Sequence, residues 1–320
     1  MLTVQKFGGS SVASSERIRA VAEIIAEAKN GGSDIIAVLS ARGGMTDELI
    51  ASAVELNSSP PKRELDALLS TGELSSVALM AVQLHSMGID CVSLSGRQAG
   101  IITDLNHGEA KIVSIQPARI LRELARGRVV LVAGFQGINE NDDISTLGRG
   151  GSDTTAVALA AALGAARCEI YSDVDGIYTA DPRLIPEAKR LDRIDYDDML
   201  LLAKGGSQVL HSRAVEAAMK YKVGIRALSS FEKGGGTLVT RIADKSSLPP
   251  CCGLTRDKSE NKISIVGHGV DTSMLSRAIF ELDYAGIEIL SAAAMPNEIC
   301  LKTEEADVIP AMRLLHKAFI

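Results

Sequence analysis

Residues 129–135 read VVLVAGF, an unbroken apolar run of strand length, and it decides the architecture. A strand with one wet face alternates polar and apolar residues. A run that is apolar throughout belongs inside a parallel sheet covered by helices on both faces. The flanking segments supply such helices. IQPARILRELARG, residues 115–127, reads as a helix with Pro117 near its start, where a missing N–H costs nothing. Downstream, DTTAVALAAALGA (153–165) reads as an alanine-rich buried helix and RCEIYSDV (167–174) as the next strand.

Moving outward, the same alternation reaches the beginning of the chain. LTVQKF (2–7) is strand-like, and GGSSV (8–12) interrupts it because glycines punctuate. Ser14 or Ser15 is placed to N-cap the following helix. Ile18, Val21, Ile24, Ile25 and Ala28 share one face of that helix, and Asn30-Gly31-Gly32 stops it. DIIAVLSA (34–41) is a buried strand and ARGGM (41–45) a loop. A helix is expected from Thr46 to Leu56 with Leu49, Ile50, Ala53 and Val54 inward, and a longer one over 63–85. DCVSLSG (90–96) is a strand. Helices are expected over 196–203 and 209–221, and IRALSSF and GTLVT as closing strands. ADKSSLPP, residues 243–250, reads as a linker from its paired prolines. Beyond it, KISIVG, SMLSRAIFELDYAG, IEILSAAAM, EICLKT and VIPAMRLLHKAF give strand–helix–strand–strand–helix, a small α+β sandwich. The expectation is α/β overall, with domains over 1–242 and 251–320.

The 320 residues suit about two domains. A net charge of −6, no basic run and few aromatics argue against nucleic acid as a partner. No apolar run approaches the roughly 20 residues of a membrane span, so no membrane partner is expected. The opening MLTVQKFGG lacks a basic flank and an apolar core, so no signal peptide is expected. Cys91, Cys168, Cys251, Cys252 and Cys300 form no CxxC pair and stand with no His cluster, which fits reduced thiols in a cytoplasmic protein.

Three loops carry chemistry. KFGGSSV, Lys6–Val12, sets two glycines between a strand and a helix. Their N–H groups can approach a phosphate, and Lys6 can reach a transferring phosphoryl group. The bland alternative is a tight packing turn, and the Walker spacing is absent. GRGGSDTTA, Gly148–Ala156, opens another helix with Ser152 or Asp153 as N-cap. Arg149 is suited to a bidentate carboxylate, against the alternative of a capped surface loop. YSDVDGIYTADPR, Tyr171–Arg183, follows a strand, where open α/β sheets bind ligands, and is otherwise an acidic solvated turn.

Together with LSTGE, these segments closely resemble aspartate kinases of the amino acid kinase family over essentially all of residues 1–240. The C-terminal unit resembles an ACT module, ferredoxin-like in topology. The resemblance implies a parallel-rich amino acid kinase sandwich followed by one ACT-like domain. It implies transfer of phosphate from ATP to the side-chain carboxylate of L-aspartate, the first step toward lysine, threonine and methionine. Lys6 and Asp173 would be catalytic, Asp173 orienting the lysine. Lys6, Gly8, Gly9, Ser10, Ser172, Asp173, Tyr178, Arg183 and Gln208 would bind ATP. Ser40, Thr46, Glu73, Arg149, Gly150 and Ser152 would hold aspartate, Glu73 on its ammonium and Arg149 on its α-carboxylate. Mg²⁺ would be carried by the ATP phosphates, without side-chain ligands. A homodimer or higher homo-oligomer would form through the ACT-like domain.

The chain departs from the family pattern twice. GSQVLHSR stands where GAKVLHPR is usual, so Gln208 replaces a lysine, with Lys204 nearby as a candidate substitute. The family carries two ACT modules in tandem; here CCGLTRDKSE resembles the start of the first and KISIVGHGV onward the second. The rival readings are another kinase of the same superfamily and a non-catalytic amino-acid sensor. Glu73 and Arg149 argue against an N-acetylated substrate, which has no ammonium to pair.

Overall fold

The computed structural model describes residues 1–246 and 248–320; Ser247, inside the expected linker, lies outside them. The chain divides into two compact units, Met1–Asp175 with Ala217–Gly235, and Gly176–Glu216 with Gly236–Ile320.

The first unit is built on parallel strands in the order Ile225–Ser229, Arg167–Ser172, Leu2–Phe7, Asp34–Leu39, Val129–Ala133, Cys91–Leu94. All five residues of Val129–Ala133 are buried, and the strand is paired on both sides. The fold class is therefore the one the apolar run dictates. The helix Ser15–Asn30 is capped by Ser14, whose hydroxyl accepts from the Arg17 N–H, and it buries Ile18, Val21 and Ile25.

A second, small sheet joins Ile112–Ile115, Ile101–Thr103, Gln136–Ile138 and Ile144–Thr146 in that order. The 25-residue helix Lys62–Ser86 holds it through a buried polar face. Asp66 accepts from the Gly108 N–H and the Thr146 hydroxyl, and the Gln136 amide donates to the Ser70 carbonyl at 2.9 Å. By length and composition this helix is apolar enough to cross a membrane, a departure from the sequence expectation. Half of its apolar stretch is buried within the fold, and its inner face carries Asp66 and Glu73, so it is a core helix.

The helix Met45–Leu56 corrects a second expectation. None of its residues is buried, and Ile50, Val54 and Leu56 are exposed, Leu56 at 90%. Periodicity marks an apolar face but not what covers it.

The second unit pairs Arg193–Asp195 with Thr237–Thr240 in parallel and forms a four-stranded antiparallel sheet, ordered Gly253–Asp257, Lys262–Val266, Glu298–Thr303, Ile289–Met295. The helices Thr272–Tyr284 and Val308–Phe319 bury Ala278, Leu282, Ala311, Met312 and Leu315 against it. Asp271 caps the first of them, accepting from Ser273 and Met274. The Gly253–Asp257 strand, lying in the segment that resembles the start of another module, pairs along its whole length with Lys262–Val266 and completes this one sheet.

Candidate active site

Parallel strands in register bring their C-terminal ends to one edge. Lys6 lies level with Val38 and Ile170, Phe7 with Leu39 and Tyr171, and Leu39 with Ala133. Each following loop extends the ladder by one bond: Gly8 N–H to Tyr171, Ser40 N–H to Phe7, Gly134 N–H to Leu39. The glycine turn, the 40–44 loop, Gly134 and the strand end at Ser172 therefore share one edge of the sheet, where such sheets bind ligands.

Close packing fixes the glycine turn. A Cβ on Gly9 would come within 2.9 Å of the Ala41 carbonyl oxygen, and the Gly43 N–H donates to the Gly9 carbonyl at 3.1 Å. Ser10 follows, exposed at the start of the 3₁₀ turn Ser10–Val12. Gly134 plays the same part for the helix Gly151–Leu163: a Cβ there would meet Ser152 Oγ at 2.7 Å. Ser152 and Asp153 do not cap this helix. Gly150 is its N-cap, in the left-handed region at φ 72°, a conformation glycine adopts without strain, so Ser152 and Asp153 lie buried in the first turn.

That placement forms the central ion pair. Lys6 Nζ lies 2.6 Å from the Asp153 carboxylate, both side chains nearly buried. The resemblance put Asp173 on Lys6. In the structure Lys6 pairs with the helix packed on its strand, and Asp173 is exposed beyond the end of the next strand. Ser172, beside it, accepts from the Val174 N–H at 3.3 Å. The sequence reading missed the role of Asp153. The available signal was an acid directly after Ser152 in a buried first turn.

Glu73 is 4% exposed in the middle of the long helix. Oε1 accepts from the Ala41 N–H at 3.1 Å, and Oε2 is buried with no partner among the described residues. Burial pushes the carboxyl up to about 7, partly opposed by the Ala41 N–H. Gly72 lets the helix approach: its Cβ would stand 2.8 Å from that of Ala41. Arg149 is exposed between two left-handed glycines, Gly148 and Gly150, and engages no carboxylate among the described residues. Thr46 lies half-buried in the first turn of Met45–Leu56, after left-handed Gly44. The first unit thus holds a buried acceptor able to take an ammonium, an exposed guanidinium able to take a carboxylate, and a lysine beside a glycine turn suited to phosphate.

Three expected nucleotide residues fall in the second unit. Tyr178 forms an antiparallel bridge with Arg190. The Arg183 guanidinium holds Asp181 with two bonds of 2.9 Å and keeps its carboxyl below the usual range. The Gln208 amide donates to the Gly206 carbonyl at 3.1 Å. Lys204, the candidate substitute for the missing lysine, is paired with Glu216 at 3.1 Å.

Residues 1–228 match the Amino acid kinase family. An aspartokinase of Corynebacterium efficiens is 49% identical over 269 residues, 83% of this chain and 64% of that protein. An aspartate kinase of Stutzerimonas stutzeri is 47% identical over 289 residues, covering 90% and 70% of the two chains. Among solved structures, the aspartate kinase from Synechocystis superposes with a TM-score of 0.69 at 31% identity, over 100% of this chain and 69% of that one. The E. coli aspartokinase III in complex with aspartate and ADP gives 0.71 at 25%, over 98% and 84%. The chain thus spans a little under two thirds of the length of the Corynebacterium relative.

Proposed function

The chain belongs to the amino acid kinase family, and on that footing we propose that it transfers the γ-phosphoryl group of ATP to the side-chain carboxylate of L-aspartate, giving ADP and 4-phospho-L-aspartate. The observation that carries the substrate assignment is Glu73, a buried carboxylate with one oxygen that has no partner among the described residues. Such a group is costly to leave unpaired. An α-ammonium placed against it would restore its partner and its charge. Arg149, free at the rim, takes the α-carboxylate in a bidentate pair. The β-carboxylate is then left to react.

A carboxylate oxygen attacks the γ-phosphorus while the bond to the β,γ-bridging oxygen breaks, and ADP leaves with that electron pair. The nucleophile is already ionised at neutral pH and needs no general base. Alignment and charge neutralisation remain for the protein to supply. Lys6, fixed by Asp153, lies beside the N–H groups of Gly8–Ser10 and the N-terminus of Gly151–Leu163. Mg²⁺, when bound, would ride on the ATP phosphates and supply counter-charge there, with no side-chain ligand of this chain. We read 1–242 as the catalytic part and 251–320 as an ACT-like module that pairs two copies, in the cytoplasm, within amino-acid biosynthesis.

The test is aspartate-dependent ADP release with trapping of the acyl phosphate by hydroxylamine as aspartyl hydroxamate. Glutamate and N-acetylglutamate should give neither product. Absence of hydroxamate with active ATP and Mg²⁺ rejects the proposal, and a stronger signal with N-acetylglutamate moves the substrate to a non-ammonium acid.

A further inference from the structure

A cavity of about 280 Å³ opens in the first unit between the turn after Cys91–Leu94, the hairpin running from Gln136 to Thr146, and the long helix. None of Lys6, Glu73, Arg149 or Ser152 lines it. Its floor is apolar, from Leu74, Ile138 and Ile144, all half-buried. At its rim Arg97 and Asp142 face each other with 2.7 Å between guanidinium nitrogen and carboxylate oxygen. Both side chains are exposed, at 60% and 58%, so the pair adds little net stability and opens at small cost.

The walls are preformed. A Cβ on Gly96 would fall 2.2 Å from the Gln136 carbonyl oxygen, which shows how tightly the 95–98 turn is pressed on the hairpin. Asp142 is held left-handed at φ 67°, its N–H donating to the Asn139 carbonyl. The Asn139 side chain in turn accepts from Asn141 and Asp143 N–H groups. Asp143 is anchored to Arg63 on the long helix at 2.7 Å.

We propose that this cavity binds a free aliphatic L-α-amino acid, its α-carboxylate on Arg97, its α-ammonium on Asp142 and its side chain on Leu74, Ile138 and Ile144. Adjacent opposite charges over an apolar floor match a zwitterionic head and an aliphatic tail. A dicarboxylate would need two cations, and a nucleotide more room and more positive charge. Glu73 and Leu74 are consecutive on the helix, so their side chains diverge by about 100° and serve separate sites.

The full chain titrated calorimetrically with L-isoleucine, without ATP or aspartate, should bind one equivalent saturably. Arg97→Ala and Asp142→Ala should each weaken that binding about tenfold or more. N-acetyl-L-isoleucine, lacking the ammonium, and L-isoleucinamide, lacking the carboxylate, should each lose a comparable factor on the parent protein. Both substituted side chains are exposed, and circular dichroism melts check that the variants fold. No saturable binding in the millimolar range overturns the proposal, as does binding that either substitution leaves within about twofold. Because no turnover is read, failure here and failure of the kinase reading are separate results.

Discussion

Glu73 makes the sharpest residue-scale demand on the fold. Its carboxyl rises from 4.5 to about 7 on burial, so the unfolded chain ionises it more readily than the folded one. The folded state is favoured fully below about pH 4.5, and that advantage is lost as pH rises through 7. At full ionisation the difference is on the order of 3 kcal/mol. We therefore predict that Glu73→Gln is more stable than the parent at pH 8 and that the gap closes by pH 5. Denaturant midpoints across that range check it; parallel curves would mean that Glu73 does not titrate in the folded protein. The same variant should lose aspartate binding, because a neutral amide no longer attracts an ammonium. Lys6 poses a different test. Removing one member of a buried pair leaves its partner uncompensated, at about 3–5 kcal/mol. Lys6→Met should thus be both inactive and unstable. Lys6→Met with Asp153→Asn should recover stability while turnover stays about 10²–10³-fold down. Recovery of activity in the double variant would remove Lys6 from the phosphoryl transfer.

At the scale of elements, the helix Gly151–Leu163 connects packing to chemistry. Its first turn carries both Ser152 and the partner of Lys6, and Gly134 sets how near it sits to the sheet. Gly134→Ala would place a methyl 2.7 Å from Ser152 Oγ and 3.0 Å from Val38 Cγ1. Overpacking of this kind costs about 1–3 kcal/mol, and it should raise the aspartate KM more than the ATP KM, because the displaced turn bears Ser152, which we propose holds aspartate. A chemical melt and paired KM measurements decide; an unchanged aspartate KM would detach this turn from the substrate. The parallel core was legible because Val129–Ala133 and Asp34–Leu39 are long, apolar and β-branched, with tertiary and local preferences in agreement. The small sheet was not. Ile101–Thr103, Gln136–Ile138 and Ile144–Thr146 are three residues each, too short to display a period, and the last two are tied through Gln136 and Thr146 to a helix far away in sequence. The site divided similarly. Gly9 sits in a glycine turn, and Lys6 and Ser152 lie in the strand end and helix start that flank such turns, segments whose composition advertises backbone approach to a ligand. Ser152 and Asp153 both have the composition of a cap, and only the left-handed Gly150 shifts the cap back and leaves Asp153 buried in the first turn.

For the whole molecule, the open question is what covers the C-terminal sheet. Ile289–Met295 is an edge strand, and six of its seven residues are exposed. An exposed, apolar edge is a template for pairing with another chain unless charge or proline blocks it, and ILSAAAM contains neither. The helix Thr272–Tyr284 adds Phe280 and Tyr284, stacked with ring centroids 6.3 Å apart, the tyrosine 85% exposed. Large aromatics left in water on a helix whose other face fills the core are the composition of an interface centre. A second copy of the same strand satisfies the edge by antiparallel pairing, and twofold closure ends the assembly there. We therefore predict a homodimer, measured as mass by light scattering. Leu290→Glu together with Phe280→Glu should convert it to a monomer, since like charges would face across the twofold axis. Both side chains are exposed in the single chain, so the monomeric variant should retain its circular dichroism spectrum and its affinity for ATP. A parent protein that is monomeric at working concentration defeats the prediction. A dimer that survives both charges places the interface elsewhere, and the exposed Ile50, Val54 and Leu56 of Met45–Leu56 become the next surface to charge.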